Sequence, residues 1–131
     1  MTDIVDFRID PPLEDRALND LFERARPEHV PGAYQAVLAR SLGYLGAFVA
    51  DRLVGYVHLA TDGGEHAFLL DPTVDVAYRR RGIGVQLVRR AAALARDRGC
   101  RWLHVDYEPA LAPFYATAGF RESRAGVMRL D

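Results

Sequence analysis

Arg79-Arg80-Arg81-Gly82-Ile83-Gly84 is the stretch of this chain with the plainest chemistry. It stands just before a long helical pattern, at what would be that helix's N-terminus. Aligned peptide dipoles already give such an end about half a positive charge. Three arginines placed there repel that end and one another. The arrangement is tenable if a polyanion sits on the exposed N–H groups and is clasped by the guanidiniums. The two glycines let the backbone approach that anion closely. The turn therefore reads as a phosphate seat on a cofactor site. It is not a P-loop, because no Gly-Lys-Ser/Thr follows. Nor is it a dinucleotide fingerprint: Leu87 stands where the third glycine belongs, and hairpins precede the turn.

The elements that must hold this turn follow from periodicity. Ile4 to Ile9 reads as a first strand, and Pro11-Pro12 can start a helix whose face is Leu13, Ala17, Leu18, Leu21, Phe22 and Ala25. A shorter helix spans about Ala33 to Arg40. Tyr44 to Ala50 and Leu53 to Thr61 pair across Asp51-Arg52, and Asp62-Gly63-Gly64 signals a second hairpin. Glu65 to Val76 is a longer strand, interrupted at Asp71-Pro72, where a proline implies a bulge or an unpaired edge. After the basic turn, Ile83, Leu87, Val88, Ala91, Leu94 and Ala95 make one stripe, closed by Gly99. Arg101 to Tyr107 is a strand, Leu111 to Ala118 a short helix closed by Gly119, and Phe120 to Leu130 a last strand. The order is β-α-α-β-β-β-α-β-α-β. Strand, helix, strand around Gly82 requires a right-handed crossover and a parallel pair. The expected fold is α/β (α+β): one mixed, mostly antiparallel central sheet flanked by helices, in a single domain over 1–131.

Bulk properties narrow the function. The chain has 131 residues, half of them hydrophobic and 27% charged, as in one soluble globular domain. A net charge of −1 argues against a nucleic-acid coat. All 17 basic residues are arginines, which reads as codon bias in a GC-rich genome. Cys100 is the only cysteine, so no internal disulfide forms, which fits a reducing cytoplasm. Met1 to Asp6 lacks a basic n-region, and no apolar run reaches membrane-spanning length. His29, His58, His66 and His104 match no zinc spacing, so no metal is expected.

Taken together, these residues resemble the GNAT superfamily of acyl-CoA-dependent N-acyltransferases. Its hallmark, Gln/Arg-x-x-Gly-x-Gly/Ala after the fourth strand, is met at every specified position by Arg79 to Gly84. A second signature near the C-terminus is met by Phe114-Tyr115-Ala116-Thr117-Ala118-Gly119-Phe120. Glu108 and Leu111 depart from it, standing where asparagine and alanine are common.

The resemblance implies acetyl-CoA as co-substrate and a primary amine as acceptor, attacking directly in a ternary complex. Backbone amides from Arg80 through Gly82, Ile83 and Gly84 to Val85 would seat the pyrophosphate, with side-chain contacts from Arg79 and Arg81. The pantetheine arm would lie where the two parallel strands splay apart, held by amides near Val74 and Val76. Those amides would also face the developing oxyanion. Tyr115 would be the general acid, a phenol near pKa 10 reaching a leaving thiolate near 8.5. Asp106 and Glu108, at the C-terminal end of their strand, are the first candidates for the base; Asp71, Asp75 and Glu65 on the neighbouring strand, and His58 and His104, are further base candidates. The acceptor would be a small molecule or a peptide, shaped by about Pro12 to Ser41 and the 62–66 turn. Arg24, Arg26, Glu28, His29, Tyr34 and Gln35 are the lining groups there. The competing readings are a non-catalytic acyl-CoA-binding module on the same fold and an arginine-stripe nucleic-acid binder. An exposed final strand would offer a homodimer surface.

Overall fold

The computed structural model describes residues 3–131; Met1 and Thr2 lie outside them. The elements run β1 (Asp6–Ile9), α1 (Asp15–Ala25), α2 (Gln35–Arg40), β2 (Gly43–Val49), β3 (Arg52–Thr61), β4 (His66–Val74), α3 (Ile83–Asp97), β5 (Trp102–Val105) and α4 (Ala112–Ala118). Short 3-10 turns precede α3 and α4, at Val76–Tyr78 and Pro109–Leu111.

Five strands form one sheet in the order β1-β2-β3-β4-β5. The first three pairings are antiparallel, and β4 with β5 is parallel, as the α3 crossover demands. The β2–β3 hairpin turns on Ala50 and Asp51, both at positive φ, with Val49 opposite Arg52. The turn thus lies one residue earlier than Asp51-Arg52, since a two-residue loop matching the strand twist needs left-handed conformations at both its central positions.

Strand alternation gives each face its own core. Val57 and Leu59 point to one side with Leu45, against Leu87, Val88 and Ala91 of α3. Tyr56 points to the other, and the register irregularity between Ala47 and Phe48 brings Leu53 to the same side, against Leu18, Leu21 and Phe22 of α1 and Leu38 of α2. The apolar faces of both long helices are those read from spacing. Helix α3 stops at Gly99, whose φ of 93° is open to glycine, and the Cys100 N–H returns to the Ala95 carbonyl at 2.9 Å.

One expected element is missing. Among the described residues, 121–131 form no strand and are all exposed. Arg121, Glu122, Ser123 and Arg124 break the apolar alternation, and Val127, Met128 and Leu130 are left 81–90% exposed. The segment expected to offer a homodimer edge thus carries no strand.

Candidate active site

The site begins with a fault in β4. Tyr56 pairs with Thr73 and His58 with Leu70, so Asp71 and Pro72 together face Val57. This is a β-bulge, with Asp71 in the left-handed region at φ 54°. Pro72 has no N–H to give a ladder. The parallel pairing of β4 with β5 runs from His66↔Trp102 to Leu69↔Val105 and ends just short of the bulge. Beyond it β4 continues to Val74 paired with β3 but not with β5, leaving its outer edge bare. The Asp75 N–H bonds the Val54 carbonyl at 2.8 Å on the β3 side. Alternation therefore turns the Val74 N–H and C=O toward the gap. Val76 starts the 3-10 turn and is 53% exposed.

Asp75 anchors the following turn. It is 2% exposed. One carboxylate oxygen accepts the Ala77 N–H at 2.9 Å, and the other accepts Arg24 Nε at 2.7 Å, with Arg52 3.9 Å away. Burial pushes its carboxyl pKa up, but the Ala77 N–H and the Arg24 guanidinium outweigh burial and hold it below the ordinary value. Arg24 also donates to the Leu53 carbonyl at 2.8 Å.

The three arginines do different things. Arg79 turns inward, donating to the Val74 carbonyl at 3.3 Å and to the Ala25 carbonyl at 3.1 Å, where it caps the end of α1. Arg81 pairs with Asp3 at 2.9 Å and lies over the Tyr78 ring. Arg80, at φ 64°, has no side-chain hydrogen bond or ion pair among the described residues. Gly82 follows at φ 77°, with open space where a Cβ would be. Helix α3 then starts with no side-chain cap and no acid in its first turn. The Gln86 N–H already reaches the Gly82 carbonyl, so the N–H groups of Ile83, Gly84 and Val85 have no acceptor within the helix. Of the three guanidiniums expected to form an electropositive seat, two are engaged elsewhere, so an anion at this turn would meet mainly backbone N–H groups.

This turn and α4 share a cleft of about 510 Å³, lined also by Thr73, Val74 and Arg26. Gly84 lets α4 close on α3: a Cβ there would stand 3.2 Å from Phe114 Cε1. Arg89 reinforces the contact by donating to the Thr117 carbonyl at 2.8 Å. Tyr115 lines the cleft yet is only 3% exposed. Its ring stacks on Tyr107 and meets Phe114 and Phe120 edge-on. Burial, and then Tyr107, push its phenol pKa up.

The other residues singled out from sequence are spread more widely. Asp106 and Glu108 are exposed past the end of β5 and are not among the cleft's lining residues. His29 bonds Asn19, and Gln35 bonds the Leu13 carbonyl and Asp15. Tyr34 approaches His29, and Arg24 is held by Asp75, so these four knit α1 to its neighbours. Arg26 alone of that group lines the cleft. Sequence reading gave Phe114 and Thr73 no role; the motif position of Phe114 beside Tyr115 was the available signal. Among the described residues no three His, Cys, Asp or Glu side chains converge on a metal position, and no helix is long and apolar enough to cross a membrane.

Comparison with known proteins agrees with this architecture. The acetyltransferase (GNAT) family pattern matches residues 10–120. A probable glucosamine 6-phosphate N-acetyltransferase 2 from Oryza sativa subsp. japonica is 40% identical over 60 residues, covering 46% of this chain and 36% of that protein. Glucosamine 6-phosphate N-acetyltransferase 1 from the same organism is 31% identical over 115 residues, covering 86% and 67%. The chain thus spans about a third of the first relative's length and two thirds of the second's. A GNAT family acetyltransferase structure from Streptococcus pneumoniae superposes with a TM-score of 0.82 at 20% identity, covering 98% of each chain. The chain belongs to the GNAT acetyltransferase family.

Proposed function

We propose that this GNAT family member, acting as one domain over 1–131, moves an acetyl group from acetyl-CoA to the primary amine of a small molecule or peptide. One observation carries the reading: a single cleft is lined by the uncapped start of α3, by the bare edge of β4 and by Tyr115. A diphosphate fits the first of these, a peptide-like arm the second and a leaving thiolate the third.

In this reading the N–H groups from Arg80 to Val85 hold the pyrophosphate, and the open space over Gly82 allows close approach. Arg80 adds a guanidinium, while Arg79 and Arg81 shape the turn through the partners they already have. The Val74 N–H faces the gap, where negative charge develops on the thioester oxygen as the amine attacks. The Val76 amide extends the same edge. As the carbon–sulfur bond breaks, Tyr115 gives its phenolic proton to the sulfur. A phenol holds its proton at neutral pH, and burial pushes the Tyr115 pKa further up. Asp106 and Glu108 are the carboxylates at the end of β5 for taking the amine's proton through water. Free Cys100 fits a reducing cytoplasmic setting.

The test is release of coenzyme A thiol from acetyl-CoA across a panel of amines, with wild type and Tyr115→Phe. Turnover that falls at least tenfold in Tyr115→Phe, with acetyl-CoA affinity within about twofold, supports the acid role, since general acids contribute about 10²–10⁴-fold. Unchanged turnover refutes it. Acetyl-CoA binding without transfer to any amine would favour the non-catalytic module.

A further inference from the structure

Among the described residues, His58 is the one buried side chain whose hydrogen bonding the fold leaves unfinished. It is 5% exposed, on the β3 face shared with Tyr56 and covered by α1. Its Nε2 lies 3.1 Å from Asp71 Oδ2. Its Nδ1 is the only buried side-chain nitrogen or oxygen without a partner among the described residues. Placing the proton on Nε2 lets it donate to the carboxylate and leaves Nδ1 as a bare lone pair, the less costly defect.

The pair is lopsided in a way that a packing device would not need. The His58 side chain is 7% exposed and that of Asp71 is 59% exposed. Only Oδ2 of Asp71 has a side-chain partner; Oδ1 has none among the described residues. Asp71 also holds a left-handed φ of 54° at the bulge, and strain of this kind collects at working sites. Pro72 and Thr73, the next two residues, line the cleft. The charged and titratable groups around Asp71 are His58 first, then Arg26 after α1. Tyr34, just before α2, and Tyr56 of β3 feel its charge, each after burial in effect. None of these but His58 touches the carboxylate. It is an ionised acid presented at the point where β4 and β5 part.

Resting on the acetyl-transfer reading above, we propose that Asp71 receives the cationic amine of the acceptor on its free Oδ1, and that His58 is the positioning residue that aims it from behind. The acceptor class is then a primary alkyl amine that arrives as an ammonium, with a pKa near that of lysine, about 10. Weakly basic amines that arrive neutral gain nothing from this contact. The His58 hydrogen bond, the largest influence on Asp71, outweighs burial and holds its pKa below the ordinary value, keeping it anionic.

The experiment compares ethylamine, cationic at pH 7.5, with hydroxylamine, uncharged there, as acetyl acceptors. The readout is the ratio of their kcat/KM values in wild type, Asp71→Asn, His58→Leu and His58→Gln, with acetyl-CoA affinity by calorimetry. The ratio should fall about tenfold or more in Asp71→Asn, the range for a hydrogen bond to a charged group. It should fall in His58→Leu and recover in His58→Gln, which keeps an N–H donor. In His58→Leu the acid limb of the ethylamine pH profile should move to higher pH, because the bond that depresses Asp71 is gone. A ratio unchanged in Asp71→Asn overturns the proposal, as does His58→Gln behaving like His58→Leu. Transfer by the wild type to neither amine, nor to any of the panel above, is a failure of the acetyl-transfer reading. The ammonium contact is then judged from the Asp71 carboxyl carbon resonance during ethylamine titration, where a shift lost in His58→Leu upholds it and no shift overturns it.

Discussion

Replacing Asp75 by asparagine tests how the phosphate turn is held. Asp75 is buried and accepts from both the Ala77 N–H and Arg24 Nε. Asparagine keeps the first bond through its oxygen but turns an NH₂ toward Arg24, setting donor against donor. Breaking a buried ion pair can cost about 3–5 kcal/mol. Here the loss is smaller, because the Arg24 side chain is 29% exposed and still donates to the Leu53 carbonyl. The relevant scale is one charge-assisted hydrogen bond, about 1.5–3 kcal/mol. For a chain of this length that is a fall in Tm of roughly 6–12 °C. The sign with pH follows from the depressed folded-state pKa. The contribution is present above the unfolded value, about 3.9, and is lost as pH falls through the folded one. Urea unfolding of wild type and Asp75→Asn between pH 7 and pH 2.5 should therefore show a constant gap down to about pH 5 that closes in acid. A gap below about 0.5 kcal/mol at pH 7, or one that persists at pH 2.5, would refute the assignment.

Two further substitutions separate holding the turn from holding the ligand. Arg80→Ala should weaken coenzyme A binding several-fold with stability nearly unchanged, whereas Arg79→Ala should lower stability by about 1–2 kcal/mol, since it caps two backbone carbonyls; calorimetry and thermal melts on both variants decide this, and equal stabilities would be the wrong result. Gly82→Ala meets no atom within 4 Å but must adopt φ 77°, so its cost is conformational, about 1–2 kcal/mol; a variant as stable as wild type would mean that the turn relaxes to another conformation.

The sequence carried the elements with strong local periodicity. The α3 stripe from Ile83 to Ala95, the Gly99 stop and the interruption at Asp71-Pro72 all lie where spacing put them. What it could not carry were contacts made at long separation. Arg24 and Asp75 are 51 residues apart, and Arg79 reaches Ala25 across 54. Read locally, a charged residue at a strand end looks solvated, yet Asp75 is among the most buried polar groups. For the same reason three adjacent arginines read as one anion clamp, whereas the fold turns Arg79 inward and Arg81 toward Asp3. The segment after Phe120 lacks a sustained apolar alternation, and the short β5 edge has no ladder with 121–131. Asp106 and Glu108 were placed by strand direction, but β5 ends at Val105 and leaves both in solvent.

The most direct test is a crystal structure of the protein with coenzyme A bound. The pyrophosphate should lie on the N–H groups between Gly82 and Val85, with the thiol end between β4 and Tyr115. A diphosphate seated elsewhere on the surface, with the start of α3 left to water, would contradict it.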